Sequence, residues 1–208
     1  MKRVLKLLAV LIGVLVLMVL AVFMLKPWMD RWGATDSEIA ATYLGDELVP
    51  HPVEVVNRAI TINATPEQIY PWILQLGAGK GGYYSYSWLE SLINCPIVNA
   101  DRIHPEWQDL QVGDEVKMCP GSFGPPPYTV ALLGPLYTVV LGHQESGSWV
   151  EVWQFVIEPL PGGASRLVLR TRTNMTGALW TVIHPGVFIM ERGLLRGIKA
   201  RAESLAGN

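Results

Sequence analysis

Residues 148–158 alternate aromatic and polar side chains in a way that could place a carboxyl group in apolar surroundings. Successive side chains of an extended strand point to opposite faces. One face of this strand carries Trp149, Glu151, Trp153, Phe155 and Ile157. If that face points inward, burial raises the pKa of Glu151 and makes it a candidate general acid or base. The favoured alternative is that Glu151 is solvated near the strand end or paired with an arginine.

Residues 77–114 are the least regular part of the chain and are rich in aromatic side chains. Four of these side chains are candidates for ligand contact: Tyr84, Tyr86, Trp88 and Trp107. They either form a stacking wall for a flat or lipid-like molecule or pack the segment onto the rest of the domain. The sequence supports these two interpretations equally.

The same segment contains the adjacent charges Asp101 and Arg102. A bidentate ion pair that fixes the loop is the favoured interpretation, because a loop of this length needs internal ties. Alternatively, the two residues line a pocket mouth and hold the polar head of a ligand. For an acid or base inside a cavity, the only candidates are Glu151, Asp101 and His104.

Residues 165–175 form a second alternating strand with two different faces. Thr171 lies on the leucine face and could offer a hydroxyl group to a ligand, although ordinary strand packing is the favoured interpretation. The opposite face carries Arg166, Arg170 and Arg172. We expect these three side chains to face solvent, where they would discourage edge pairing.

The sequence does not contain the residue patterns of metal sites, of common catalytic and cofactor motifs, or of nucleic-acid binding. The four histidines are far apart and do not show the paired spacing of zinc sites, so we expect no metal. Nucleophile-elbow, phosphate-loop and dinucleotide motifs are missing from the sequence, so we expect no cofactor and assign no catalytic residue. A net charge of −2 with scattered basic residues predicts no nucleic-acid partner.

Residues 7–25 form an uncharged, almost wholly apolar run between Lys6 and Lys26. As a helix it would reach about 28 Å, close to the thickness of a bilayer core. A cleaved signal peptide is the rival interpretation, but its apolar core would be shorter and would end at a small-residue site. The flanking basic residues favour an extracytoplasmic domain by a narrow margin. We therefore expect a single-pass membrane protein whose contact with the lipid bilayer is made by residues 7–25.

The elements behind this anchor predict an α+β domain. A strand at 54–63 precedes a helix at 65–76, which begins with a capping box, and a short helix at 87–93. Five strands separated by Gly- and Pro-rich turns follow, and the last helix is predicted at 185–206, with Met190 near its inner face. A curved antiparallel sheet cannot bury its own concave face, so this helix must close it. Cys95 and Cys119 either pair or remain free thiols.

This layout resembles the helix-grip fold of the START-like superfamily, and more closely its bacterial polyketide cyclase/dehydrase-like branch. The resemblance covers about residues 31–203. Its carriers are residues 31–36 (RWGATD), 45–50 (GDELVP), 81–90 (GGYYSYSWLE), 99–103 (NADRI), 105–108 (PEWQ), 112–116 (VGDEV) and 190–192 (MER).

The resemblance implies a division into an anchor at 1–26, a lead-in segment at 27–53 and a helix-grip domain at 54–208. It further implies that an apolar small molecule, lipid or polyketide-like, binds between the sheet and the last helix. Candidate contacts are Tyr84, Tyr86, Trp88, Asp101, Arg102, Trp107, Glu151, Trp153, Thr171 and Met190. Because one fold hosts many chemistries, a cyclase- or dehydratase-type enzyme and an interaction module with a self-filled core stay open as alternatives.

Overall fold

The computed structural model describes residues 2–121, 124–134 and 137–206, without the side chains of residues 5, 15, 18, 178 and 179. The outer ends of the predicted segments 1–26 and 54–208, namely Met1 and residues 207–208, lie outside the described residues.

Helix α1 (Lys2–Asp30) contains the apolar run and continues through Pro27. It is the only described helix that is long and apolar enough to cross a membrane, a test that a signal sequence near the N-terminus would also pass. Its last turn belongs to the folded domain. Met29 is buried, and its carbonyl oxygen accepts a 2.9 Å hydrogen bond from Nε of Arg58. Helix α1 is therefore joined to the domain by packed contacts.

The domain is built on one six-stranded sheet in the order β1-β6-β5-β4-β3-β2, with every neighbouring pair antiparallel. The strands are β1 (Glu54–Ile62), β2 (Glu115–Val116), β3 (Tyr128–Gly134), β4 (Thr138–Glu145), β5 (Ser148–Pro159) and β6 (Ser165–Thr173). The short helix α2 (Asp36–Ala40) precedes β1. Two further short helices, α3 (Pro66–Leu74) and α4 (Ser87–Leu92), lie between β1 and β2. Thr65 forms the predicted capping box with Gln68 at the start of α3.

Helix α5 (Ala178–Ala206) closes the inner face of the sheet. Leu194, Leu195 and Ile198 are buried in one core cluster with the inner side chains of the strands. The predicted helix-grip architecture, a sheet closed by a long C-terminal helix, is thus confirmed. Helix α5 begins before the predicted position 185 and carries Pro185 in its interior, although an internal proline removes one helical hydrogen bond.

Contacts made by the first turns of α5 explain why the helix extends past Pro185. Trp180 donates a 3.2 Å hydrogen bond from Nε1 to Glu54, and Nε2 of His184 lies 2.5 Å from Asp30. These tertiary contacts with β1 and α1 hold the turns that precede the proline, and local sequence signals do not reveal them.

The lead-in segment packs on the outer face of the sheet, which corrects the expectation that Arg166, Arg170 and Arg172 face solvent. Arg170 is 2% exposed and forms a salt bridge with Asp46 at 2.8 Å. Arg166 pairs with Glu38 at 2.7 Å, and Nε of Arg172 donates to the Val49 carbonyl. The prediction was wrong because the partners of these arginines lie more than a hundred residues earlier in the chain.

The predicted face of β5 is correct from Glu151 onward but wrong at Trp149. A bulge inserts one residue, because His143 pairs with Glu151 whereas Gln144 pairs with Trp149. A single extra residue reverses the facing of the side chains that precede it. Trp149 therefore packs with Val152 on the outer side of the sheet.

Candidate functional site

Glu151 lies on the inner face of β5 and is 1% exposed. The hydroxyl group of Tyr128 donates a 2.7 Å hydrogen bond to its Oε2. The Tyr128 ring stacks on His143 with centroids 4.0 Å apart, and Thr173 is the cross-strand partner of Glu151. One row across the sheet thus carries a buried carboxyl group flanked by hydroxyl groups and an aromatic stack.

Burial raises the pKa of the Glu151 carboxyl, and the hydrogen bonds of Tyr128 and Thr173 oppose that rise only in part. Burial also raises the pKa of Tyr128, and the neighbouring Glu151 carboxylate raises it further. Among the residues that the structure describes, no lysine, arginine or histidine forms a salt bridge with Glu151. Glu151 is therefore buried, as the first interpretation predicted. The favoured interpretation, a solvated or arginine-paired carboxyl group, was wrong.

Glu90 on α4 is a second buried acid, and the sequence analysis missed it. It is 2% exposed, and neither of its carboxylate oxygens has a hydrogen-bond partner within the described part of the chain. Burial raises its pKa from 4.5 to about 7. The only sequence signal is a lone charge between the apolar pairs Trp88-Leu89 and Leu92-Ile93, which is also what a solvated helix turn would show.

Aromatic rings connect the two acids. Burial raises the pKa of Tyr83, and the nearby Glu90 carboxylate raises it further. The ring centroid of Tyr83 lies 6.2 Å from that of Trp153. The ring of Trp153 in turn lies 5.7 Å from that of Tyr128, and no described residue forms a hydrogen bond with its indole Nε1. We call Tyr83, Glu90, Tyr128, Glu151 and Trp153 the inner polar cluster. It combines orphan polar atoms with an apolar lining, whereas buried polar groups are ordinarily paired.

The predicted aromatic wall is spread over several environments. Tyr84 is buried, and its hydroxyl group donates to the Trp72 carbonyl and accepts from Gln75, both at 3.0 Å. Tyr86 is half-buried, Trp88 is exposed, and Trp107 is half-buried against His104 at a centroid distance of 4.0 Å. Among these residues, Tyr84 ties the irregular segment to α3.

The other predicted contacts are also dispersed. Asp101 and Arg102 are both exposed, and none of the described salt bridges joins them. Thr171 is buried as the cross-strand partner of Trp153, next to the inner polar cluster. Met190 is half-buried, and its carbonyl accepts a 2.9 Å hydrogen bond from Ser85. The structure therefore brings Glu151, Trp153 and Thr171 together on one face.

Side chains fill the space between the sheet and α5. Trp72, Phe155, Leu194 and Ile198 are among the buried residues of this core. Three open clefts of about 550, 510 and 360 Å³ lie beside the end of α5, between α1 and the lead-in segment, and along β2. None of these three clefts is lined by a member of the inner polar cluster.

The tertiary structure brings one histidine next to two carboxylates. Asp30, Glu54 and His184 place one ligand atom each within 4.8 Å of one another. The ammonium group of Lys26 contacts both carboxylates, at 2.6 Å in the case of Asp30. Lys26 already supplies the positive charge that a metal ion would supply, so this group acts as an ion cluster that joins α1, β1 and α5.

An antiparallel sheet closed by a long C-terminal helix is the helix-grip arrangement. The predicted likeness to START-like helix-grip proteins is confirmed at the level of the fold. No family model matches the chain, and no curated protein matches it.

Solved structures with a similar fold share little sequence with this chain. The KanY protein has a TM-score of 0.46 and 15% identity, with 72% of this chain and 97% of that chain covered. Norcoclaurine synthase from Thalictrum flavum, in complex with dopamine and hydroxybenzaldehyde, has a TM-score of 0.42 and 15% identity, with 80% and 94% covered. A polyketide-cyclase-like protein from Corynebacterium glutamicum has a TM-score of 0.35 and 17% identity, with 74% and 83% covered. Identities of this order carry no information on function.

Proposed function

We propose that this protein binds an apolar small molecule that carries at least one hydrogen-bonding oxygen, at the surface of a membrane. The observation that carries the proposal is the inner polar cluster. Both oxygens of Glu90 and Nε1 of Trp153 are buried without hydrogen-bond partners among the residues that the structure describes. An unpaired buried polar group costs about 1–3 kcal/mol, and a ligand oxygen would recover part of that cost.

The electrostatics of the cluster favour a neutral ligand. With its pKa raised to about 7, Glu90 holds a proton over part of the physiological pH range and can then donate a hydrogen bond. Burial also raises the pKa of Glu151, which favours the neutral form of that carboxyl group. The indole of Trp153 is also a donor, so a carbonyl or hydroxyl oxygen fits the cluster. An anionic ligand does not fit, since it would face two acids. Apolar contact with the surrounding core supplies about 25 cal/mol per Å² of ligand surface buried.

Access to the cluster requires a movement, because the core is filled by side chains. Helix α4 is the element best placed to move, since it is short, carries Glu90 and has an exposed outer side. Displacement of α4 would expose Glu90 and open the aromatic layer to a ligand. The predicted contacts of Tyr84, Tyr86, Trp88, Trp107, Asp101, Arg102 and Met190 stay predictions and would belong to this opened state.

The membrane location of the proposed function rests on α1. We infer that residues 1–26 form an uncleaved anchor, that residues 27–53 lead into the domain at 54–208, and that the domain is extracytoplasmic. The packing of Met29 and Asp30 against Arg58 and His184 supports an uncleaved anchor, because the helix end is part of the core. A disulfide between Cys95 and Cys119 supports the oxidising side of the membrane.

Acid–base catalysis on an oxygenated substrate is the second candidate function. The pKa of Glu90, raised to about 7, matches the value at which a general acid or base is most effective near neutral pH. Turnover that survives both Glu90→Gln and Glu151→Gln would eliminate this candidate.

Mass spectrometry of molecules that co-purify with the full-length protein tests the binding function. We expect an apolar oxygenated compound to be enriched over an unrelated domain fused to residues 1–26. The compound should be lost in Glu90→Gln and retained in the exposed control Glu115→Gln. If nothing is enriched, and if added long-chain ketones and alcohols do not raise the melting temperature, the core is self-filled and the proposal fails.

A further inference from the structure

Two neighbouring elements of the domain expose apolar side chains that the folded core does not use. Helix α5 exposes three of them in its first half, and α4 with the residue after it exposes three more. We call this set the apolar rim: Val182, Ile183, Ile189, Trp88, Leu92 and Ile93. Monomeric soluble proteins rarely leave contiguous apolar surface of this kind uncovered.

The end of α1 runs alongside α5 in the same direction. Trp32 lies under Arg196 and Arg192 at 5.9 and 5.2 Å, and Trp28 contacts Phe188 at 5.2 Å between ring centroids. Moving back along α1 therefore means moving toward the start of α5.

The first turns of α5 lie at the level where the apolar run of α1 ends. Lys26, the first charge after that run, pairs with Glu54, and Glu54 also accepts the hydrogen bond of Trp180. Residues 7–25, which precede Lys26, thus extend past the N-terminus of α5. If they cross a bilayer, the first half of α5 lies at its surface.

Helix α4 approaches the same end of the domain. Gly197 of α5 lies against Tyr84, and Gly193 lies against Ser85 and Tyr86. The chain therefore runs toward the N-terminus of α5 as it enters α4 at Ser87. Its exposed side chains therefore lie toward the same end of the domain as the first half of α5.

We propose that the apolar rim inserts into the interfacial region of the lipid bilayer that α1 crosses. This inference rests on the anchor in the proposed function, and it places the movable helix α4 in contact with lipid. The bilayer is the partner that the position of the rim favours, since the first turns of α5 lie at the level where the apolar run of α1 ends. Burial of six large apolar side chains in the interface would contribute a substantial favourable free energy of membrane binding.

Lipid-borne quenching in the full-length protein tests the inference. Single cysteines introduced as Ile189→Cys and Val182→Cys are labelled with a polarity-sensitive fluorophore, and the protein is reconstituted in phosphatidylcholine vesicles that contain nitroxide-labelled lipid. The matched control is Leu205→Cys, because Leu205 is 45% exposed and Ile189 is 44% exposed on the same helix. We expect at least threefold stronger quenching at 182 and 189 than at 205.

Flotation of the same vesicles separates the possible failures. If the protein floats with the vesicles after an alkaline wash but all three labels remain unquenched, the rim stays in water and the inference is wrong while the anchor stands. If the protein does not float, the anchor is wrong and the inference falls with it. If position 189 is protected without lipid quenching and crosslinks between copies, a second copy of this chain covers the rim and the inference is also wrong.

Discussion

The hydroxyl group of Tyr128 donates a 2.7 Å hydrogen bond to Oε2 of Glu151 inside the sheet. The two residues are 23 positions apart and lie on strands that are separated by β4. The contact crosses one intervening strand, whose His143 stacks on the Tyr128 ring. A buried acid is thus held by a hydroxyl group rather than by a cation, which keeps it available to a neutral partner.

Replacing Tyr128 should reveal the strength of this contact. We expect Tyr128→Phe to lower the free energy of unfolding by about 1–3 kcal/mol, because it leaves one more buried carboxyl oxygen unpaired. Urea denaturation of the protein in detergent measures the change. The control is Tyr137→Phe, which removes an exposed 2.5 Å hydrogen bond to Glu67 and should change stability much less than Tyr128→Phe does. Equal losses in the two variants would contradict a special role for Tyr128.

The stability of the protein should fall as the pH rises through the titration range of Glu90. The folded-state pKa of about 7 lies above the ordinary value of 4.5, so the folded protein binds more protons than the unfolded chain between these two values. The contribution of Glu90 to stability is therefore fully present below about pH 4.5 and is lost progressively as the pH rises to about 7.

Comparison of variants isolates this pH dependence. We expect Glu90→Gln to flatten the decrease in stability between pH 5 and pH 8 in denaturant titrations, whatever its effect at a single pH. The exposed replacement Glu115→Gln should leave the decrease unchanged. A decrease that persists in Glu90→Gln would show that other groups cause it.

The buried pair of Arg58 and Glu191 should be costly to break. Its side chains are 1% and 11% exposed, and Arg58 also bonds the Met29 carbonyl. We expect Glu191→Met to cost about 3–5 kcal/mol because it leaves an uncompensated buried guanidinium, and the added Arg58→Met to restore part of the loss. Thermal unfolding measures both variants. Arg31→Met breaks an exposed pair with Asp36 and should cost no more than about 1 kcal/mol.

The disulfide between Cys95 and Cys119 should stabilise the irregular segment. It joins residues that are 24 positions apart, and such a crosslink contributes about 3 kcal/mol by restricting the unfolded chain. We expect the double variant Cys95→Ser/Cys119→Ser to unfold at correspondingly lower denaturant concentration. A reducing agent should destabilise the native protein and leave the double variant unaffected. If the reductant destabilises neither, the bond contributes nothing to the folded state.

The sequence by itself determined the elements whose signals are local. The apolar run at 7–25, the capping box at Thr65 and the alternating strands are periodic or short-range patterns, and most of these elements appear within a few residues of their predicted bounds. The inward position of Glu151 also follows from alternation, although the choice between a buried and a solvated carboxyl group did not.

Only the tertiary structure decided which residues meet. Arg170 became buried, and Arg166 and Arg172 became paired, because the lead-in segment returns over the outer face. Trp149 turned outward because one bulge shifts the register. Glu90 joined the inner polar cluster through the folding of an irregular segment that has no periodicity to read. Each of these outcomes depends on contacts between residues far apart in the chain. Their energies come from desolvation and pairing in the folded state, and no local pattern encodes such terms.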